Sequence, residues 1–178
     1  MDRRIKYSKT ALRDALFALL EKKEMGEISI SELCRTADIN RNTFYNHYNY
    51  PLEIMHEFEE EVFEKLLSAQ AKSQNIEDVI TLSCQILEDD KQMSKIIFTK
   101  ADGVGILSRI LKNFGNHFEI HKEIELAPEA KPLVELAYQF GEKGSISIIK
   151  KWVEDDFLYS SEQISQMIIY LVNKINKR

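Results

Sequence analysis

Two helix start signals lie close together in residues 28–50, and they constrain the fold more than any other part of the chain. Ser29 precedes an apolar-periodic segment, and Glu32 follows it with the spacing of a capping box. Asn40, a favoured N-cap residue, opens a second segment. Asp38 lies between them, where a tight turn favours a left-handed conformation that Asp tolerates. The pattern predicts two short helices joined by a tight turn.

The outer face of the second predicted helix is polar. Helical spacing places Phe44 and Tyr48 on one side, which we expect to face the core. Asn42 and Asn46 then point the other way. An Asn amide can pair with adenine and a guanidinium such as that of Arg41 with guanine. The segment is therefore either a DNA-reading helix-turn-helix or a solvated helical hairpin with a polar surface.

Many positions of this stretch agree with one known pattern at fixed spacing. The residues identical to the pattern are Ala37, Thr43, Tyr45 and His47. At the other positions this chain has Ser29-Ile30 where the pattern has Thr-Val, Leu33-Cys34 where it has Ile-Ala, Asp38-Ile39-Asn40 where it has Gly-Val-Ser, and Tyr48 where it has Phe. On these residues the chain resembles the tetracycline-repressor (TetR/AcrR) family of transcriptional regulators. The resemblance covers roughly the first third of the chain and favours the DNA-binding interpretation.

The resemblance also implies roles for individual residues. Positions matching Thr43, Tyr45 and His47 commonly contact phosphate in that family, and variable positions such as Asn42 and Asn46 read bases. The family often has a Lys at the start of its fourth helix, where this chain has 49–51, Asn-Tyr-Pro. Either one phosphate contact is missing, or Tyr50 makes a neutral version of it. The complete set of expected DNA contacts is Asn40, Arg41, Asn42, Thr43, Tyr45, Asn46, His47 and Tyr50.

Composition indicates an all-α protein. Hydrophobic residues make 44% of the 178 residues, Gly and Pro number only 6 and 3, and no alternating β-branched runs occur. We expect about nine helices: a three-helix DNA-binding head at 1–50, a linking helix at about 51–74, and a helical regulatory and dimerisation body within 51–178. No apolar stretch reaches the length of a membrane span, and no signal-peptide core is present. A cytoplasmic protein with buried free thiols at Cys34 and Cys84 is expected.

The net charge of −5 is unevenly divided. Residues 1–50 hold nine Lys/Arg and seven Asp/Glu, so the acidic excess lies in the rest of the chain. The N-terminal basic residues Arg3, Arg4, Lys6 and Lys9 form either an arm that lies along DNA phosphates or a solvated tail.

The last two predicted helices, roughly 132–154 and 160–176, are amphipathic. They either complete the core or, as the resemblance implies, form a two-fold four-helix dimer interface. The apolar residues expected at that interface are Leu133, Ala137, Phe140, Gly144, Ile148, Ile164, Ile168, Leu171 and Ile175. A homodimer also follows from function, because one short helix reads few base pairs and two heads can span two half-sites.

The aromatic residues of the body are open to two interpretations. By default they pack in the core, whereas the resemblance implies a small-molecule effector pocket. The candidate ligand-binding residues are Phe98, Phe114, Phe118 and Trp152. No catalytic motif or cofactor-binding loop is present, and His117 and His121 are more typical of a solvated helix face than of a metal site.

The sequence therefore predicts a sequence-specific DNA-binding regulator, a repressor on a palindromic operator, and not an enzyme. One rival is a helical protein-interaction module without DNA binding. A second rival is a metal-dependent enzyme built on His117 and His121.

Overall fold

The computed structural model describes residues 3–73, 75–117 and 131–176, and within them every regular element is helical. The nine α-helices of these ranges are α1 Arg3–Leu20, α2 Ile30–Ala37, α3 Arg41–Tyr45, α4 Leu52–Gln70, α5 Ile76–Asp89, α6 Lys91–Lys100, α7 Gly103–His117, α8 Lys131–Glu154 and α9 Ser161–Asn176. A single 3₁₀ turn, Met25–Glu27, precedes α2. The prediction of an all-α fold with an N-terminal three-helix head is confirmed.

The chain divides into two compact units, Met1–Glu61 and Val62–Arg178. The division falls inside α4, whereas the sequence-based boundary stood just before that helix. The first unit thus contains α1 to α3 and the first half of α4. The second contains the remainder of α4 and the five helices that follow.

The core of the first unit consists of apolar side chains from all four of its helices. The side chains of Leu12, Leu16 and Leu20 recur at helical spacing on α1 and are fully buried. They share this core with Leu33, Phe44, Ile54 and Met55. The ring of Phe17 on α1 meets that of Phe58 on α4 edge to face, with centroids 4.7 Å apart.

Neither interpretation of the N-terminal basic residues, an arm along DNA or a solvated tail, holds for residues 3–9. Helix α1 begins at Arg3, so the four basic residues expected in the arm lie on a regular helix. Ser8 is of a residue type that often caps a helix N-terminus, but it lies inside α1, where its hydroxyl donates to the carbonyl of Arg4 at 3.0 Å. A Ser in a helix interior can satisfy its hydroxyl in this way, so it does not have to mark a helix start.

The second unit is held together by apolar packing and by polar contacts at helix ends. The backbone N–H of Ser161, at the start of α9, donates to the Glu88 carboxylate on α5 at 2.9 Å. Asn173 near the end of α9 donates to Glu77 at the start of α5 at 2.8 Å. These two contacts join both ends of α5 to α9, so α9 is an integral part of this unit.

Both cysteines are free and buried. Burial, together with the nearby charge of Glu88, raises the pKa of the Cys84 thiol to about 12. Burial also raises the pKa of Cys34, and the Arg41 charge opposes this only in part. Thiols of this kind are structural rather than reactive. Among the described residues, no helix is both long and apolar enough to cross a bilayer.

Candidate nucleic-acid interface

Local hydrogen bonds fix the two short helices and the turn between them. The Ser29 hydroxyl accepts from the Glu32 N–H at 3.2 Å, and the Asn40 amide oxygen accepts from the Asn42 N–H at 2.8 Å. Asp38 ends α2 in the left-handed conformation, with φ 53° and ψ 41°. Both N-caps and the left-handed turn residue are therefore confirmed. Only half of the expected capping box forms, because the Glu32 carboxylate pairs with Lys23 at 2.7 Å.

The turn itself closes the end of α2. The N–H of Ile39 donates to the carbonyl of Cys34 at 2.9 Å, and the N–H of Asp38 donates to the carbonyl of Arg35 at 3.3 Å. These bonds satisfy carbonyls that the helix end would leave without partners. Only three residues separate the end of α2 from the start of α3. The geometry is that of a helix-turn-helix.

The inner and outer sides of α3 and of the residues just after it are arranged as the sequence predicts, although the helix ends at Tyr45 and Tyr48 lies beyond it. Phe44 is 0% exposed and the side chain of Tyr48 is buried, so both contribute to the core. Asn42 and Asn46 lie on the opposite side and are exposed. The apolar side thus fixes the helix on its unit, and the amide side remains open to a partner.

The eight residues expected to contact DNA all lie between Asn40 and Tyr50, and we call them the recognition surface. Its exposed members are Asn40, Arg41, Asn42, Tyr45, Asn46 and Tyr50, and its half-buried members are Thr43 and His47. The side chain of Tyr45 is 56% exposed although its ring also meets that of Phe44, with centroids 5.5 Å apart. Arg41 reaches back to α2, where its guanidinium donates to the Ser31 hydroxyl.

Two carboxylates of α4 hold the residues that follow α3. The Tyr48 hydroxyl donates to Glu57 Oε2 at 2.6 Å, and the Lys9 ammonium donates to Glu57 Oε1 at 2.7 Å. One turn earlier, Glu53 accepts from the backbone N–H of Asn49 at 2.7 Å and from its side-chain amide at 3.0 Å. Sequence reasoning missed Lys9, Glu53 and Glu57 in this role. The sequence signal that could have revealed these contacts is Tyr48, because the family that the chain resembles has Phe at this position.

The environment keeps these groups in the protonation states that their hydrogen bonds need. Burial opposes ionisation of Glu57, but the hydrogen bonds from Lys9 and Tyr48 outweigh it and lower the pKa of the carboxyl group. Burial and the hydrogen bond to Glu57 raise the pKa of the Tyr48 phenol. At neutral pH Glu57 is therefore an acceptor and Tyr48 a donor.

The net charge of the first unit does not distinguish it as a DNA binder. The sequence segment 1–50 is basic, but residues 1–61 hold nine Lys/Arg and twelve Asp/Glu, because the first half of α4 adds five Glu. Glu57 and Glu61 of that set pair with Lys9 and Arg13 of α1, each at 2.7 Å. Any DNA binding therefore depends on where individual side chains lie on the recognition surface.

Two of the four aromatic residues proposed to bind a ligand are shown to lie in the core of the second unit. Phe98 and Trp152 are buried. The Trp152 indole N–H donates to the Tyr159 carbonyl at 2.7 Å, and its ring packs against Phe157 with centroids 4.8 Å apart. The side chain of Phe114 and all of Phe118 lie outside the described residues. His121 and the side chain of His117 do as well, and the described residues contain no His, Cys, Asp or Glu cluster able to hold a metal ion.

The outer faces of α8 and α9 carry exposed apolar side chains, as a dimer interface requires, but not all of the expected ones. Ala137, Phe140 and Leu171 are exposed, and Gly144 and Ile148 are half-buried. Ile164 and Ile168 are buried within the second unit, so their assignment to an interface is wrong. The exposed apolar residues that sequence reasoning missed are Leu136, Met167 and Tyr170. The side chains of Leu133 and Ile175 lie outside the described part of the chain.

The N-cap of α3 gives a direct test of the local geometry. Replacing Asn40 with Ala removes the acceptor for the Asn42 N–H and should lower the free energy of unfolding by about 1 kcal/mol. Asn40→Asp keeps an acceptor at the same position and is the matched control. Denaturant unfolding measures both. Equal stability of the Ala and Asp variants would contradict the capping role.

Solved structures share this architecture along nearly the whole chain. A TetR transcriptional regulator from Streptococcus agalactiae 2603V has a TM-score of 0.67 and 20% identity, with 96% of each chain covered. NalD of Pseudomonas aeruginosa, the secondary repressor of the MexAB-OprM multidrug efflux pump, has a TM-score of 0.69 and 14% identity over 97% of each chain. FadR of Bacillus subtilis, a transcriptional regulator solved with stearoyl-CoA, has a TM-score of 0.61 and 17% identity, covering 92% of this chain and 96% of its own. These similar proteins are regulators rather than enzymes. No family model and no curated protein matches the sequence.

Proposed function

We propose that this chain, which has the fold of the TetR-type transcriptional regulators, is a sequence-specific DNA-binding repressor. The observation that carries the proposal is the division of α3 and the residues just after it into a buried side and an exposed side. Phe44 and Tyr48 fix the helix in the core, and Asn42 and Asn46 face outward with their amides exposed. An exposed polar helix on a helix-turn-helix is the element that enters the major groove of DNA.

The recognition surface offers two kinds of contact. The amides of Asn42 and Asn46 can pair bidentately with adenine, and the Arg41 guanidinium with guanine O6 and N7. Tyr45, Thr43 and His47 offer hydroxyl and imidazole groups, and Asn40 and Tyr50 extend the surface at its two ends. Hydrogen-bond donors of this kind suit phosphate contacts that set the register of the protein on the duplex.

We further propose that the chain acts as a homodimer through the outer faces of α8 and α9. Phe140, Leu136 and Tyr170 are each more than half exposed, and exposed large apolar side chains on neighbouring helices are typical of an interaction surface. A two-fold dimer presents two recognition surfaces and binds a palindromic operator in the cytoplasm.

An effector site in the second unit is also part of the proposal. The similar FadR was solved with stearoyl-CoA, so a body of this fold can hold a ligand. Release from DNA requires that the ligand bind the non-operator conformation more tightly, by a coupling energy of typically 1–3 kcal/mol. Phe98 and Trp152 are the described candidates, with Phe114 and Phe118 as further ones.

Selection of bound duplexes from a random DNA pool tests the proposed function. We expect a palindromic consensus bound by two chains, and a reporter driven from it that is repressed by the protein. Replacing Tyr45 with Phe and His47 with Ala together should weaken binding to the selected duplex and to a scrambled one by the same factor, because phosphate contacts carry no sequence information. Unequal weakening would contradict their phosphate role.

The alternative function is a helical protein-interaction module whose helix-turn-helix is only structural. Under this alternative the protein binds no duplex, at low or at high salt. Low salt is the stricter condition, because even non-specific binding to DNA strengthens as salt falls. Failure to enrich any duplex at low salt would favour this alternative.

A further inference from the structure

The carboxylate of Glu57 joins the segment just after α3 to two other helices of the first unit. It lies on α4 and receives hydrogen bonds from the Tyr48 hydroxyl at 2.6 Å and from Lys9 on α1 at 2.7 Å. The Lys9 ammonium also lies 5.3 Å from the centroid of the Tyr48 ring. Together with the Glu53–Asn49 bonds one turn earlier, these contacts hold two consecutive residues just after α3.

Helix α3 needs such contacts because it is too short to hold its own orientation. It has five residues, and isolated helices well above that length are marginal in water. Burial of the Phe44 ring fixes the depth of the helix in the core, but apolar burial is non-directional. The Tyr48–Glu57 hydrogen bond is directional and involves a charged acceptor, the stronger class of hydrogen bond.

We infer that Glu57 is a positioning residue for DNA reading: through the Tyr48 hydroxyl it fixes the direction in which α3 presents Asn42 and Asn46. This inference rests on the proposed function. Bidentate base pairing requires both the amide and the base edge in register, whereas phosphate contacts tolerate small displacements. Loss of the Tyr48–Glu57 bond should therefore reduce discrimination between duplexes more than it reduces affinity for DNA in general.

Tyr48→Phe is the sharpest variant, because it removes one hydroxyl and keeps the buried ring. The probes are the duplex selected from the random pool and a scrambled duplex of equal composition. We expect the preference for the selected duplex to fall about tenfold, the size of one weakened bidentate base contact. Affinity for the scrambled duplex should change by less than about twofold. In a Glu57→Ala background, Tyr48→Phe should cause no further loss, as coupling between the two side chains requires.

Glu61→Gln is the matched control. Glu61 lies one turn after Glu57 on the same helix and makes the same kind of ion pair, with Arg13 on α1 at 2.7 Å. Neither member of that pair hydrogen-bonds Tyr48, although the charges of both act on its phenol at longer range. The Glu61 variant should therefore keep the full preference for the selected duplex.

A second measurement needs no DNA and separates failure of this inference from failure of the proposed function. Amide hydrogen exchange of the free protein should be faster across 41–48 in the Tyr48→Phe variant and unchanged across α2, because only the end of α3 loses its bond. Glu61→Gln should leave exchange across 41–48 unchanged. If the parent selects no duplex, the proposed function and the role of Glu57 in DNA reading fail together, and the exchange result decides only whether the Tyr48–Glu57 bond holds α3.

The two measurements together give definite outcomes. A lower preference with faster exchange across 41–48, both confined to the Tyr48 and Glu57 variants, supports the inference. An unchanged preference in a DNA-binding protein, unchanged exchange, or equal effects of Glu61→Gln overturns it.

Discussion

Replacing Phe140 with Glu should leave the chain folded and convert the proposed homodimer into monomers. Phe140 on α8 is 69% exposed in the single chain, so a charge there costs little when the chain is alone. In a two-fold interface the same residue occurs twice, and two carboxylates would be desolvated near each other. Interface aromatics of this kind are typically worth 2 kcal/mol or more each, so we expect dimerisation to weaken about a hundredfold or more. Sedimentation over a range of protein concentrations measures it.

Two further variants make the dimer prediction specific. Leu158 is 71% exposed but lies between α8 and α9 in sequence, outside both helices, so Leu158→Glu should leave the dimer intact. Ile168 is 0% exposed, so Ile168→Glu should unfold the second unit instead of producing a folded monomer. A Phe140→Glu protein that remains dimeric at the lowest measurable concentration would contradict the proposed interface.

Replacing Phe44 with Ala should have the largest effect on the first unit. The ring is fully buried, and truncation of a buried Phe typically costs 3–5 kcal/mol. That cost is close to the whole stability of many small domains. We expect the first unit to lose its protected amides and the protein to lose DNA binding, while hydrogen exchange in the second unit stays slow. Tyr45→Ala is the control for stability only, because it removes an adjacent ring that is mainly exposed but also belongs to the recognition surface.

The comparison between these neighbouring aromatic residues decides the orientation of α3. If the helix lies as the structure has it, Phe44→Ala destabilises the unit strongly and Tyr45→Ala does so by less than about 1 kcal/mol. Equal losses in unfolding free energy would mean that the two rings share a similar environment, and the division of α3 into a core face and an outer face would be wrong.

Features that depend on local interactions could be predicted from the sequence. The N-caps at Ser29 and Asn40 and the left-handed Asp38 involve residues only two to five positions apart, so their spacing identifies them. The four-residue spacing of Phe44 and Tyr48 likewise predicts which side of this segment faces the core. The helical class of the fold followed from composition and periodicity.

Features that depend on tertiary contacts could not be predicted in this way. Helix α9 carries apolar residues on more than one side, and periodicity does not reveal that Ile164 and Ile168 face the core whereas Met167 and Tyr170 face outward. Lys9 and Glu57 are 48 positions apart, and no local rule pairs them. The basic segment at the N-terminus continues α1 because its residues are compatible with a helix, which charge counting alone does not reveal.

The net charge of the first unit could not be predicted from the sequence either, because it depends on where the unit ends. A boundary placed before α4 makes the head basic, and the structural boundary within α4 makes it acidic, because the five Glu of that helix segment belong to the unit. The sign of the net charge of the first unit therefore depends on where its boundary is placed. The position of each side chain on the recognition surface is the more direct guide to DNA binding.

Fluorescence anisotropy with the selected and the scrambled duplex tests the central claim most directly, applied to the parent and to an Asn42→Ala/Asn46→Ala variant. If these two amides read bases, the parent should prefer the selected duplex by about a hundredfold or more, and the variant by only a few-fold. Affinity for the scrambled duplex should be nearly equal in the two proteins, with the same salt dependence. A variant that keeps the parental preference would show that the outward face of α3 does not read DNA.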